Sequence, residues 1–242
     1  MQLLCNSCRV FLLMASTASK LYSDDVSLVV VLLDTNPFFW AIAKNSNNSN
    51  PNLSFSKFLN HVLPFLNSIL LLNQINQVVV IATGVNSCGY IYDSSSSPPA
   101  SAAKSENGNM PGIFSRVIQK LEEFVIKDQQ LSKDESVVGN PSSLLSGSLS
   151  LALCYIQRVF RSGPLHPHPR VPIDSCVVGA QHSAFLQQAS YITGGVYIKP
   201  QHLDGLFQYL TMVFATDLQS RSFLQLPRPV GVDFRASYVP HS

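Results

Sequence analysis

Apolar runs alternate with amphipathic segments along most of this chain of 242 residues. Runs rich in Val and Ile have the composition of strands that are covered on both faces, and apolar residues that recur every three or four positions predict helices. The predicted strands lie at 26–33, 77–83, 90–93, 172–180 and 196–199, and the predicted helices at 54–72, 113–131, 142–161, 183–193 and 200–216. This alternation favours an α/β fold with a mostly parallel sheet and helices on both faces.

Four segments fall outside this pattern. The first and last of them set the boundaries of the predicted domain, and the other two lie within it. Residues 1–25 are expected to form a disordered leader, in which Met14 offers an alternative start. Residues 94–109 are expected to form a disordered loop, because their sequence, SSSSPPASAAKSENGN, is of low complexity. The junction at 162–171 is irregular and rich in turn residues, and the Pro-rich tail at 218–242 reads as extended. We therefore predict one domain at 26–217.

Charge and cysteine content narrow the class of protein. Charged residues make up only 12% of the chain, about half the usual share, so much of the surface is expected to be buried against a protein partner. The net charge of +2 comes without a Lys/Arg cluster, which argues against nucleic-acid binding. Asn and Gln side chains within 62–84 would be costly in lipid, so no membrane span is predicted.

The five cysteines are an odd number, which indicates a reduced, intracellular protein. Cys5 and Cys8 have the spacing of half a zinc site, but tetrahedral zinc needs four ligands and no second pair follows. We therefore predict neither a metal nor another cofactor.

The sharpest candidate for chemistry is Asp34, which follows the first predicted strand. Ligands of parallel α/β sheets bind beyond the carboxyl ends of the strands, and Mg²⁺ would need further oxygens from the same loop. Asn36 could supply one, whereas Phe38 supplies none and Pro37 stiffens the loop. The favoured role of Asp34 is therefore to accept backbone N–H groups. No phosphate-binding loop or nucleophile elbow is present, so no catalytic residue is predicted.

Five stretches together resemble one family, the 34-kDa von Willebrand A-like subunit of general transcription and DNA repair factor IIH. The resemblance covers residues 26–161 and 172–237, and its motifs are LLDTNPFFW, LLSGSLSLALCYIQRVFRS, PIDSC, FLQQASYITGGVYIKPQHLDGLFQYL and LPRPVGVDFRAS. It implies a von Willebrand A-like fold and a nuclear, non-enzymatic subunit of the factor IIH core complex. Such a subunit serves RNA polymerase II transcription initiation and nucleotide-excision repair by binding the 44-kDa subunit.

Two departures from the family pattern change these expectations. The family's zinc finger follows VDFRAS, where this sequence has Tyr238, Val239, Pro240, His241 and Ser242, so zinc is not expected. The family also has a strand and a helix between the helix that ends near Arg161 and the PIDSC stretch. The resemblance therefore implies that one central strand is missing beside the first strand, with backbone groups left unpaired unless another strand fills the gap.

The partner-binding candidates lie just after the first strand, and they are Asp34, Asn36, Phe38, Phe39 and Trp40. One alternative is that the three aromatic rings only pack on the next helix. Another is a metal-dependent von Willebrand A ligand-binding module, in which Asp34 and Asn36 form a degenerate site. A third is a shortened isoform without a function of its own.

Overall fold

Six strands form one sheet with helices on both faces in the computed structural model of the chain. The structure describes residues 8–16, 27–45, 54–72, 76–96, 112–131, 142–162, 171–179, 182–200, 202–216, 220–227 and 231–232. The strands are β1 (Cys8–Ser16), β2 (Ser27–Asp34), β3 (Gln77–Thr83), β4 (Cys88–Asp93), β5 (Ile173–Val178) and β6 (Tyr197–Ile198). Their order across the sheet is β4-β3-β2-β1-β5-β6.

The pairing combines parallel and antiparallel neighbours. β2 pairs with β3 and β5 pairs with β6 in parallel, whereas β1 is antiparallel to both β2 and β5. β4 is antiparallel to β3 at the edge of the sheet. Four strands therefore share one direction, and β1 and β4 run against it. The predicted α/β class, a sheet flanked by helices, is confirmed. The prediction of a mostly parallel sheet is corrected, because β1 and β4 make three of the five strand pairings antiparallel.

Most predicted helices are present, with small shifts at their ends. The α-helices of the structure are α1 (Pro37–Asn45), α2 (Phe55–Leu72), α3 (Gly112–Leu131), α4 (Leu145–Ser162), α5 (Ala184–Thr193) and α6 (Leu206–Tyr209). Of these, α1 was not predicted. The helix predicted at 200–216 is divided into a 3₁₀ turn at Leu203–Gly205, α6 and a π-helical segment at Leu210–Phe214. A further 3₁₀ turn, Ser220–Phe223, lies within the tail that was predicted to be extended.

The leader prediction is wrong for residues 8–16, because they form β1 in the middle of the sheet. The sequence CRVFLLMAS has the apolar composition of a buried strand, and a slot between β2 and β5 gives its backbone partners on both sides. The gap that the resemblance implied beside the first strand is therefore filled from the amino-terminal side. Of the loop predicted to be disordered at 94–109, Ser94–Ser96 form a 3₁₀ turn. The rest of the irregular segments, at 1–7, 17–25, 97–109, 163–170, 218–219, 228–230 and 233–242, lies outside the described residues.

Alternate residues of β2 face two hydrophobic layers, as expected for a strand covered on both sides. Val29, Val31 and Leu33 belong to a layer with α2, α3 and the π-helical segment. Leu28, Val30 and Leu32 belong to a second layer with α4 and α5. All six side chains are at most 1% exposed, so the apolar run that predicted this strand is explained by packing on both faces.

Among the described helices, α2 alone is long and apolar enough to cross a membrane by length and composition. Its inner side chains, including Phe58, Val62 and Phe65, are fully buried in the first layer. Packing within the domain therefore accounts for the apolar residues on this inner side.

Candidate functional site

Asp34 lies at the carboxyl end of β2, where its carboxylate joins three segments of chain. Oδ1 accepts a hydrogen bond from the Ser143 hydroxyl at 2.8 Å and one from the Asn36 backbone N–H at 3.1 Å. Ser143 comes from the segment just before α4, 109 residues further along the chain. Asp34 is only 2% exposed, so it connects the end of β2 to the start of α4 from a buried position.

Asn36 caps α1. The prediction of a loop around Asp34 to Trp40 is corrected here, because the helix begins at Pro37. Its Oδ1 accepts the Phe38 backbone N–H at 3.0 Å, and its Nδ2 donates to the Ser143 hydroxyl at 3.2 Å. Pro37 begins the helix instead of interrupting the chain, because proline has no N–H and its φ suits the first helical position. The Asn-Pro pair was a local signal for this helix start.

The ends of β2, β3 and the α4 segment are joined by further hydrogen bonds. The Thr83 carbonyl accepts both the backbone N–H and the hydroxyl of Thr35, at 2.9 and 3.0 Å. The Leu144 N–H donates to the Gly84 carbonyl at 2.9 Å. The Thr83 hydroxyl is buried and has no hydrogen-bond partner among the described residues. Asp34, Thr35, Asn36 and Ser143 therefore belong to one network at the carboxyl edge of the sheet.

Two side-chain oxygens that could bind a cation, Asp34 Oδ1 and Asn36 Oδ1, accept hydrogen bonds within the protein. Asp34 Oδ1 accepts two hydrogen bonds, Asn36 Oδ1 holds the first turn of α1, and Phe38 supplies no oxygen. Within the described ranges, no group of three His, Cys, Asp or Glu residues could hold a metal ion. The arrangement fits the expected role of Asp34 as an acceptor of backbone N–H groups, and the absence of metal stays a prediction.

The three aromatic candidates have different environments. Phe38 is 47% exposed, whereas Phe39 is buried. The Trp40 ring packs on Phe55 and Phe58 of α2, with centroids 5.2 and 5.4 Å away. Trp40 and Phe39 therefore hold α1 against the domain, and Phe38 is the ring of the three that faces solvent.

Two further buried aspartates hold connections and were not singled out from the sequence. Asp128 of α3 accepts the backbone N–H groups of Val85 and Asn86, both at 3.0 Å, and the Ser87 hydroxyl at 2.7 Å. These residues form the turn between β3 and β4. A side chain on Gly84 would overlap the Asp128 carboxylate, so glycine is required for this close approach.

Asp174 of β5 is fully buried and forms an ion pair with Arg221. Arg221 donates through both terminal nitrogens, and Asp174 Oδ1 also accepts the Val196 backbone N–H at 2.8 Å. Arg221 Nε donates to the Thr216 carbonyl at 3.2 Å. The pair thus attaches the 3₁₀ turn at Ser220–Phe223 to the sheet. No local pattern in the sequence indicates it, because the partners are 47 residues apart.

The pKa values of two cysteine thiols, Cys88 and Cys176, are raised above the ordinary value. Burial raises the pKa of Cys176, and burial together with the nearby Asp128 carboxylate raises the pKa of Cys88. Both shifts oppose formation of the thiolate, which is the nucleophilic form.

Comparisons with known proteins agree with the resemblance. The family model described as Transcription factor Tfb4 matches residues 26–171 and 167–242. General transcription and DNA repair factor IIH subunit TFB4 of Arabidopsis thaliana is 58% identical over 257 residues, which cover 94% of this chain and 83% of the relative. General transcription factor IIH subunit 3 of Dictyostelium discoideum is 31% identical over 229 residues. These cover 78% of this chain and 60% of the relative.

The same comparisons locate the departure from the family. The alignment with the Arabidopsis relative, at 257 positions, is longer than this chain of 242 residues, so the relative has positions without a counterpart here. The family model matches this chain in two separate parts, and the first ends and the second begins within residues 167–171. The crystal structure of the TFIIH p34 N-terminal domain is 22% identical, covers 76% of this chain and 95% of that one, and has a TM-score of 0.48. On the family match and the Arabidopsis relative, the chain belongs to the Tfb4 family of transcription factor IIH subunits.

Proposed function

We propose that this chain is a non-catalytic structural subunit of the factor IIH core complex and acts in the nucleus by binding the 44-kDa subunit. In that role it supports RNA polymerase II transcription initiation and nucleotide-excision repair. The proposal rests on family membership and on the similarity to the Arabidopsis relative, a general transcription and DNA repair factor subunit.

The proposal that the subunit is non-catalytic is supported by the role of its buried carboxylates, which accept hydrogen bonds within the protein. Asp34, Asp128 and Asp174 are each at most 5% exposed. Each accepts hydrogen bonds that join separate segments of the chain. A catalytic carboxylate needs access to a substrate, whereas these three stabilise connections. The side chains left for recognition are those on the surface.

Exposure supports one of the five partner-binding candidates, Phe38, as the direct contact. Asp34 and Asn36 are 2% and 6% exposed, so they act by fixing the start of α1. Phe39 and Trp40 pack inward. Phe38, at 47% exposure, is the side chain that we place against the 44-kDa subunit. Exposed aromatic rings are frequent anchors of protein interfaces.

The test is co-expression of this chain with the 44-kDa subunit, followed by affinity capture and gel filtration. Phe38→Ala is compared with Phe185→Ala, because Phe185 is also a phenylalanine, is 46% exposed and lies on α5. We expect Phe38→Ala to reduce the affinity about tenfold, typical of an interface anchor, and Phe185→Ala to leave it unchanged. Equal affinities of Phe38→Ala and the unmodified chain would exclude this contact.

The unmodified chain tests the proposal itself in the same experiment. A soluble, stoichiometric complex supports an assembly subunit. If this chain aggregates while a full-length relative pairs normally, the alternative of a shortened isoform without function is favoured.

One observation favours the metal-dependent alternative, namely the buried Thr83 hydroxyl without a partner among the described residues, at the register position of Asp34. That alternative requires Mg²⁺ to raise the melting temperature of the unmodified chain but not of Asp34→Ala or Thr83→Val. We expect the same melting temperature, within about 1 °C, in Mg²⁺ and in chelator.

A further inference from the structure

Strand β1 joins the two halves of the sheet. On one side its backbone pairs with β2 from Val10↔Leu33 to Ser16↔Ser27, and on the other with β5 from Cys8↔Val178 to Leu13↔Ile173. β2 and β5 run in the same direction with one strand between them, and no pairing within the described residues joins them directly. The half with β2, β3 and β4 therefore meets the half with β5 and β6 through β1.

The slot that β1 occupies is a buried one. Every residue of β5 is buried, and so are Leu28 to Asp34 of β2. Without β1, both strands would present unpaired N–H and C=O groups in the interior, where each unpaired group is unfavourable. The slot thus has the chemistry of a binding site for one extended, apolar segment that can pair on both edges.

The occupant comes from a part of the chain that the family match does not include. The match begins at residue 26, after β1, and it is split at 167–171, between α4 and β5. β5, which forms one side of the slot, is the first strand after that split. Ser16 and Ser27 are paired with each other, so the segment folds back on β2 as a hairpin within one chain.

We propose that the slot between β2 and β5 is a strand-binding site and that residues 8–16 of the same chain are its ligand, bound antiparallel to both neighbours. In this role the segment lies beside β5, the first strand after the point at which the family match is split. The binding of β5, β6 and the Asp174–Arg221 pair to the rest of the domain then depends on residues 8–16.

A disulfide tests the site in the full chain. Cys8 is opposite Val178, whereas Val177 is opposite Arg9 and lies on the other face of the sheet. Val178→Cys and the matched control Val177→Cys are made in a Cys5→Ser background. Both are oxidised under native conditions and mapped by mass spectrometry, with fragment spectra to assign the linked residues.

We expect Cys8 of the Val178→Cys variant to form a disulfide with the introduced thiol within a monomer, because facing strand residues have the separation that a disulfide needs. The yield of this link should exceed that in the Val177→Cys control at least about tenfold. Equal or absent links in the two variants would overturn the register, and links between two chains would overturn binding in cis.

A second variant tests whether the stability of the domain depends on residues 8–16. A chain started at Met14 keeps only the last three residues of β1. We expect it to lose its cooperative unfolding transition or to melt at least about 10 °C lower. A melting temperature within about 2 °C of the full chain would overturn the proposal.

Discussion

Arg221 and Asp174 form a bidentate ion pair, with Nη1–Oδ1 and Nη2–Oδ2 distances of 2.9 and 2.6 Å. The Asp174 side chain is fully buried and that of Arg221 is 10% exposed. Planar, two-point pairing of this kind is the strongest arrangement available to arginine and a carboxylate. The pair connects the tail after the π-helical segment to β5, and its contribution to stability can be measured directly.

Arg221→Ala is expected to lower the free energy of unfolding by about 3–5 kcal/mol, because it leaves the buried Asp174 charge without its partner. Urea denaturation followed by Trp40 fluorescence measures the change. The control is Arg161→Ala on the exposed side of α4, for which a change within about 0.5 kcal/mol is expected. Similar losses for both variants would mean that the pair has no special role.

Ser143→Ala removes the hydroxyl that donates to Asp34. Because this hydrogen bond ends on a buried carboxylate, we expect the free energy of unfolding to fall by about 1–3 kcal/mol. The neighbouring Ser142 is exposed, so Ser142→Ala is the control and should have little effect. Thermal melting followed by circular dichroism distinguishes the two variants. Equal melting temperatures would contradict the stabilising role of the Ser143–Asp34 hydrogen bond, which connects β2 to α4.

Trp40→Ala should destabilise the domain by about 2–4 kcal/mol, since it removes a large ring packed on α2. Phe38→Ala should change the free energy of unfolding by less than about 1 kcal/mol, because about half of that ring is in solvent. Trp40 is the only tryptophan, so denaturation of these variants is followed by circular dichroism. The reverse order of effects would show that Phe38, not Trp40, supports the fold.

Two adjacent glycines, Gly194 and Gly195, have different structural roles. Gly194 ends α5 with φ of 71°, and no atom lies within 4 Å of the place where its Cβ would be. A Cβ on Gly195 would overlap the Ile173 backbone carbonyl. Gly194→Asn is therefore expected to be tolerated, since Asn adopts left-handed φ readily, whereas Gly195→Ala should give mainly insoluble protein. Soluble yield and melting temperature measure both variants, and a stable Gly195→Ala would refute the close approach.

Cysteine labelling should follow exposure and pKa. Cys154 is exposed, Cys88 is intermediate and Cys176 is buried. A raised thiol pKa means that the folded state holds the proton more tightly, so its contribution to stability is present below the usual value of 9.0 and is lost as pH rises through the raised value. With iodoacetamide at about pH 8, we expect Cys154 to react first, Cys88 several-fold more slowly and Cys176 only after denaturation. Early labelling of Cys176 would contradict its burial.

The elements that could be predicted from sequence are those with local signals. The runs at 26–33 and 77–83 predicted strands correctly because their residues are buried on both faces. The helical period over 54–72 and 113–131 located α2 and α3 almost to the residue. At α1 the Asn36-Pro37 signal was present but was interpreted as a loop.

The elements that sequence could not provide depend on distant partners. Residues 8–16 are apolar, but their place in the sheet is set by β5, more than a hundred residues away. Ser143 meets Asp34, and Arg221 meets Asp174, only after the domain is assembled. Of the site, Asp34 was identified from its position after a strand, whereas its partner Ser143 was not.

The central position of β1 has a consequence for the order of folding. During synthesis β1 and β2 emerge first and can form a hairpin from neighbouring residues, which is a fast, local step. The other edge of β1 is completed only when β5 has been made, so it stays open while most of the chain is translated. An open apolar edge is a template for pairing with other chains, and the nascent protein is therefore most prone to aggregation before residue 178 has left the ribosome.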